Sequence, residues 1–421
     1  MARGGNRPSG GGWPPRSAYL HVPFCHRRCF YCDFPVVPLG DRASGAAGDP
    51  GSRSIAAYLE LLHREIALAP AGPPLSTVYV GGGTPSMLTP VQVGELLAAL
   101  RRRFGLAPAA EVSLEMDPAS FDQLRLAGSL AAGVTRVSLG GQSFDNAVLE
   151  RLGRRHRRDD LLQAAGWLAA AQRRGALRSW SLDLIQGLPG ADRSAWRQHL
   201  QQAIALAPPH LSVYDLIIEP GTVFERLEAR GQLALPEDEL AADLMEITAE
   251  VLAAAGYGHY EISNYALPGH ASRHNRVYWS GAGWWGFGLG ATSAPWGVRL
   301  ARPRTREAYA AWVEGHEVVA AATPPADRQA AAMPFEEQVM VGLRRREGVP
   351  LAALAAAAGL PAAALAALER RWQPFQERGL LHRCGPRWRL SDPEGLALSN
   401  AVLRELLAWW ESWSADLPPS P

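Results

Sequence analysis

The stretch "AYLHVPFCHRRCFYCDFP", residues Ala18–Pro35, places three of the chain's four cysteines, Cys25, Cys29 and Cys32, within eight positions. A strand-like run over "YLHV" ends at Pro23, so the thiols begin in a loop leaving a strand. The spacing also fits one face of a helical turn, but Pro23 and the polar "HRR" do not suit a buried helix. Three thiols fall one short of the closed shell of structural zinc. That shell would have to recruit His21, His26, Asp33 or the remote Cys384. An iron-sulfur cubane takes cysteine thiolates as its usual ligands, and three of them leave one iron open. The cluster is the preferred reading, with zinc and simple packing as the alternatives.

Composition narrows the setting. The 421 residues are 47% apolar, enough for a large domain and a smaller one. With 42 basic and 41 acidic side chains the net charge is +1, so no overall field gathers nucleic acid or anionic membrane. No apolar run approaches the roughly 20 residues of a membrane span, and "MARGGNRPSGGGWPPRS" lacks the apolar core of a secretory signal. A cytoplasmic protein is expected. In a reducing compartment, clustered cysteines point to metal binding or catalysis rather than disulfides.

Residues 1–16, rich in Gly, Arg and Pro, are expected to be a disordered tail. Over residues 17–235, six short apolar runs alternate with amphipathic helical patterns. This predicts an α/β fold, a partial six-unit strand-helix barrel of the triosephosphate-isomerase type, with its site at the carboxyl ends of the strands. Residues 38–53 read as a flexible insertion. Residues 236–332 hold a long helix and then a Gly- and aromatic-rich passage. Residues 333–400 predict a winged-helix-like α+β module, and 401–421 a terminal helix and tail.

Polar groups recur at the predicted strand ends. "VYVGGGTPS" follows strand two, where bare backbone at Gly81, Gly82 and Gly83 lets amides approach a small zwitterion closely. Glu115 in "SLEMDP" can accept two ribose hydroxyls. Gln142, Arg154 and Asp183 follow at or near later strand ends, as for a ligand lying across a barrel mouth.

The spacing C-x3-C-x2-C, with an aromatic before the last cysteine, resembles the signature of radical S-adenosylmethionine proteins. "YLHVPFC", "GGGTPS", "QSF", "LGRRH", "DLIQGLPG", "YDLIIEPGT" and "HNRVYW" further resemble successive landmarks of the oxygen-independent coproporphyrinogen III oxidase-like family, over about residues 17–395. The resemblance implies [4Fe-4S] ligands at Cys25, Cys29 and Cys32. It implies S-adenosylmethionine contacts at Tyr19, Tyr31, Gly82, Gly83, Thr84, Glu115, Gln142, Arg154 and Asp183. Two positions depart from the family's pattern: Gly141 stands where a bulkier aliphatic residue is usual, and Gln186 where an aromatic or methionine is common.

Within the family, coproporphyrinogen dehydrogenases resemble C-x3-C-x2-C-x-C, and carry a longer leader before the cysteines. Here the fourth cysteine position is Phe34. The haem chaperone branch has "CDF" at this point and a later HNxxYW motif, read here as His274, Asn275, Tyr278 and Trp279. The resemblance therefore implies a haem chaperone that carries haem as cargo to a haem-accepting protein, touching membrane proteins at most peripherally. A neutral imidazole ligates haem iron well, which makes His274 a candidate ligand, with His259 and His270 as rivals. The alternatives are a radical coproporphyrinogen dehydrogenase and, from another class, a zinc-stabilised scaffold or nucleic-acid-binding protein.

Overall fold

The computed structural model describes residues 14–295, 297, 299–322 and 333–414. Most of the expected amino-terminal tail, the end of the 236–332 segment and the last seven residues lie outside them. Six strands lie side by side in chain order, each parallel to the next: β1 Ser17–Val22, β2 Leu75–Gly82, β3 Leu106–Met116, β4 Arg136–Gln142, β5 Ser179–Gln186 and β6 His210–Asp215. The crossovers carry helices α1 Ser52–Leu68, α2 Pro90–Arg103, α3 Gln123–Ala132, α4 Asn146–Arg151, α5 Arg158–Arg173 and α6 Arg193–Ala205. Local chemistry sets their ends. At α2, Thr89 and Gln92 form a reciprocal capping box, Pro90 opens the first turn, and Arg101, Arg102 and Arg103 face the negative end of the helix dipole.

The alternation along the strands decides what the sheet encloses. Val112 and Leu114 on β3, Val137 and Leu139 on β4, and Leu182 and Leu184 on β5 belong to one apolar core shared with the helices. Burying each leucine contributes roughly 1.5–3 kcal/mol. The intervening residues are polar and meet on the other face: Ser138 bonds Ser181 at 2.7 Å, and Arg136 donates to Ser179 at 3.0 Å. The lumen is therefore hydroxyl-lined and charged rather than filled with branched aliphatics.

Two further pieces extend the sheet. The hairpin β7 Gly258–Glu261 and β8 Asn264–Ala266 adds to β6 with antiparallel pairing, and β9 Trp285–Phe287 runs parallel to β1 at the other edge. The Gly- and aromatic-rich passage thus covers both edges of the barrel, where unpaired backbone would otherwise face water. Between the pieces stand α7 Val223–Glu228, α8 Asp238–Ala254, α9 Arg273–Trp279 and, after β9, α10 Arg306–Ala322.

The last module comprises α11 Phe335–Leu343, α12 Leu351–Ala357, α13 Ala362–Glu377, the hairpin β10 Leu381–Cys384 with β11 Arg387–Leu390, α14 Glu394–Ala397 and α15 Ser399–Ser414. It buries its own core around Leu368, Trp372 and Leu406. The helices with one β-hairpin match the winged-helix-like pattern. Residues 38–53, whose composition suggests a segment hanging in solvent, fold back on the barrel: Ala43 and Ser44 are buried and the Gly45 amide donates to Met87 at 2.8 Å. No described helix is long and apolar enough to cross a membrane.

Candidate functional site

Cys25 ends a two-residue strand, Phe24–Cys25, that pairs in parallel with Val37–Pro38 and so ties off the loop between them. The loop is not helical, which removes the packed-helix explanation of its spacing. Further backbone bonds hold it: Val37 to Pro23, Leu39 to Cys25, and Phe30 to Leu152. The three thiols line one cavity of about 510 Å³. Among the described residues no three His, Cys, Asp or Glu side chains converge on a single ion. Three thiols on one cavity supply three corners of a cluster and fall one short of a closed zinc shell. Burial pushes Cys25 up to about 12 and Cys32 up to about 11, so unliganded thiols here stay protonated.

Of the candidate fourth zinc ligands, His26 and Asp33 line the cavity with the thiols, whereas His21 and Cys384 are placed away from them. His21 donates from Nε2 to the Pro35 carbonyl at 3.1 Å and accepts the Tyr19 hydroxyl at Nδ1 at 3.0 Å, and burial lowers it to about 4. Cys384 is exposed on the carboxy-terminal hairpin.

The glycine triplet is dictated by crowding. A Cβ on Gly83 would stand 2.6 Å from the Phe24 carbonyl oxygen and 2.9 Å from Cys25 Sγ; one on Gly82, at φ 117°, would strike the His21 ring. Glu115 accepts the Gly82 amide and the Tyr79 hydroxyl, both at 2.9 Å. Burial nevertheless pushes its carboxyl up to about 7, against the pull of those two donors. Asp183 takes the Ser138 hydroxyl on Oδ2 at 2.8 Å, while its buried Oδ1 has no partner among the described residues. Burial raises its carboxyl, with the neighbouring Ser138, Ser212 and Ser181 hydroxyls working the other way. A buried acceptor facing a cavity without a donor is a group waiting for a ligand hydroxyl or amine.

Arg154 reaches across this cavity. Its Nη2 bonds Asp117 at 2.7 Å and the Gly140 carbonyl at 2.8 Å, and Nη1 stands 3.6 Å from Cys29 Sγ. Burial works against its charge, but Asp117, Tyr31 and Cys29 hold it above the ordinary arginine value. Asp117 is itself held well below the usual carboxylate range: Arg154 and His156 outweigh its burial. Gln142 lines the cavity from a left-handed backbone (φ 63°) at a shift in the β4–β5 register, which aims it inward. The two departures from the family's pattern are both accommodated. Leu161 and Leu182 occupy the space a side chain at 141 would need. Gln186 bonds Asp215 at 2.6 Å and accepts Thr248 at 2.9 Å, linking β5 to β6 and α8.

Of the candidate contacts, Tyr31, Gly82, Gly83, Thr84, Glu115, Gln142, Arg154 and Asp183 line the cavity with the cysteines. Tyr19 stands behind, stacked on Tyr79 with its hydroxyl on His21, so it positions rather than touches. The structure places His274, the candidate haem ligand, apart from the cavity wall. It is fully buried, its Nδ1 shared with the Thr77 hydroxyl at 2.9 Å and its Nε2 with Tyr278 at 2.8 Å. Neither nitrogen keeps a free lone pair for iron. His259 has both nitrogens engaged, with Asp392 at 2.6 Å and the Ile262 carbonyl at 3.3 Å; His270 uses Nδ1 on Ser179 at 3.1 Å, and neither residue lines the cavity. Sequence reasoning missed Asp117, Tyr79 and the lumen serines. The signal was present in the repeated "VSL", "VSL", "WSL" and "LSV", where polar and apolar residues alternate.

The radical SAM superfamily model matches residues 19–203 and the HemN C-terminal domain model residues 334–397. The chain is 41% identical to the heme chaperone HemW of Synechocystis over 94% of its own length and 97% of that protein's. The chain belongs to the HemW heme chaperone family. The HemW of Escherichia coli is 33% identical over 94% of this chain and 99% of its own. Coproporphyrinogen III oxidase (HemN) from Escherichia coli, a radical SAM enzyme, shares the fold with a TM-score of 0.73 at 21% identity, over 95% of this chain and 91% of that one. Membership of the radical SAM superfamily implies a [4Fe-4S] cluster and S-adenosylmethionine.

Proposed function

We propose that this HemW-family chain is a haem chaperone of the cytoplasm that binds haem and passes it to a haem-dependent acceptor, with a [4Fe-4S] cluster on Cys25, Cys29 and Cys32. The residues present suit the cofactor pair. The thiols line one cavity, the glycine triplet leaves room beside Cys25, and the unpartnered Asp183 Oδ1 belongs to the same lining. In this reading Glu115 takes the ribose hydroxyls, Gly82, Gly83 and Thr84 flank the methionyl group, and Gln142, Arg154 and Asp183 orient the remainder. When bound, the cluster and S-adenosylmethionine supply one-electron chemistry at the sulfonium. The chain's own part is to exclude water and to fix Glu115 in the cavity through the Gly82 amide and the Tyr79 hydroxyl.

The observation that carries the choice of carrier over catalyst is Phe34, exposed at the cavity where dehydrogenases of the wider family have another cysteine. An anaerobic, iron- and sulfide-reconstituted preparation tests it. Haem should bind and coproporphyrinogen III should remain unconverted. Efficient formation of protoporphyrinogen IX would overturn the carrier reading in favour of the dehydrogenase. A preparation that retains zinc but no iron or acid-labile sulfide would overturn the cluster.

A further inference from the structure

Nine large apolar side chains stand exposed among the described residues, and three of them, Phe34 (51%), Tyr214 (42%) and Ile217 (64%), line the opening of the cysteine cavity. Apolar groups scattered singly on a surface need no account, but a group of them around one opening marks a binding surface. They come from separate pieces of chain, Phe34 from the cysteine loop and the other two from the exit of β6.

The charges on the same lining are arranged unevenly. Arg28 donates to the Phe34 carbonyl at 3.0 Å, and Arg155 to the carbonyls of Asp41, at 2.7 Å, and Ala119. Among the described residues neither pairs with a carboxylate, whereas the neighbouring Arg27 is paired with Asp41 at 2.6 Å. Besides Glu115, Asp117 and Asp183, already described, the acids on the lining are Asp33 (on the same loop as Arg28), Asp215 and Glu219, and together they oppose a ligand that is anionic all round. Asp215 and Glu219 lie on the β6 exit, apart in the chain from both arginines. Two guanidiniums free of carboxylate partners, three apolar groups and several acids on the same lining suit a broad apolar ligand with two carboxylates better than one with four. Haem has two propionates on one edge, while coproporphyrinogen III carries four around its ring.

We propose that this opening is the seat of haem, with Phe34, Tyr214 and Ile217 against the macrocycle and Arg28 and Arg155 taking the propionates. The assignment rests on the haem-carrier reading and gives it a place other than His274. Guanidinium binds carboxylates through charge-assisted, often bidentate bonds, and aromatic and branched side chains suit a flat apolar face.

The test is a haem titration of the full reconstituted chain with S-adenosylmethionine present, set beside the Arg28→Gln and Ile217→Ser variants. Each variant should bind haem about tenfold more weakly with iron and sulfide content unchanged. Haem dimethyl ester, lacking the carboxylates, should bind the unsubstituted chain about tenfold more weakly and lose nothing further in Arg28→Gln. If the unsubstituted chain fails to bind haem, the carrier reading itself falls. If it binds and both variants titrate identically to it, the opening is overturned and the carrier reading stands. Should Arg28→Gln lose its cluster, Ile217→Ser, far along the chain from the cysteines, decides alone.

Discussion

Arg154 Nη2 lies 2.7 Å from Asp117 Oδ2 while its Nη1 lies 3.6 Å from the Cys29 sulfur, so one largely buried guanidinium joins the end of β3 to the cysteine loop. Removing the carboxylate strands a positive charge in a site with little water. Asp117→Asn should lower unfolding free energy by about 3–5 kcal/mol in urea denaturation and reduce iron retention after reconstitution. Arg154→Met added to it should cost less than the two single changes summed, because the stranded charge is gone. Strict additivity would show that the pair is not coupled. Asp117's depressed value also means that its stabilisation is present above the ordinary aspartate range and is lost as pH falls through the folded-state value.

Glu115 predicts a pH dependence of the opposite kind. Its carboxyl rises from 4.5 to about 7 on folding, chiefly by burial. Between those values the folded state binds more protons than the unfolded, so stability falls as pH rises across the window, by about 3 kcal/mol in all. Glu115→Gln should therefore be more stable than the unsubstituted apoprotein at pH 8 and nearly equal to it at pH 4.5. The same change should weaken S-adenosylmethionine binding. Parallel stability curves for the two proteins across pH 4.5–8 would refute the buried-carboxylate account.

What was legible in the sequence is what local chemistry decides. Three thiols in a loop after a strand, and three glycines after the next strand, are constraints on a few neighbouring residues, and spacing alone exposes them. The lumen was harder to read, because Ser113, Ser138, Ser181 and Ser212 sit inside runs whose valines and leucines dominate any average. Their period of two is visible only when each residue is assigned a face. His274 is ambiguous in the sequence for a different reason. A histidine in an aromatic passage offers a ligand or a core hydrogen bond, and the choice rests on Thr77, 197 residues away on β2. Likewise the sheet edges covered by β8 and β9 depend on pairings that no local pattern specifies.

The glycine at 83 gives a prediction that separates folding from cluster assembly. A Cβ there would stand 2.9 Å from Cys25 Sγ and 2.6 Å from the Phe24 carbonyl, so the cysteine loop must move while the core beneath it need not. Gly83→Ala should retain its circular dichroism spectrum and lose no more than about 1–3 kcal/mol of stability, yet bind markedly less iron than the unsubstituted chain. Gly187→Ala is a useful comparison. Nothing lies within 4 Å of its would-be Cβ, though its φ of 70° adds backbone strain of its own. Full iron loading of Gly83→Ala would mean that the loop tolerates displacement and that the triplet serves only the turn.

His274 stacks on Tyr79, at 5.2 Å between ring centroids, and Tyr79 in turn donates to Glu115, so the imidazole supports the cavity from behind. Its removal leaves the Thr77 and Tyr278 hydroxyls without their shared partner and opens a void in the lumen. His274→Ala should cost about 2–4 kcal/mol of stability. Burial lowers the imidazole from 6.5 to about 3, so the unfolded chain takes up a proton there that the folded chain refuses. Stability contributed at this site is complete above pH 6.5 and drains away towards pH 3, by up to about 5 kcal/mol. His274→Gln, which keeps a polar side chain but cannot titrate, should show a shallower acid limb in that window. If the limbs coincide, the ring is already protonated when folded and must be open to water. A His274→Ala protein that stays folded but no longer binds haem would return this residue to the binding site and argue that the buried conformation opens to receive its cargo.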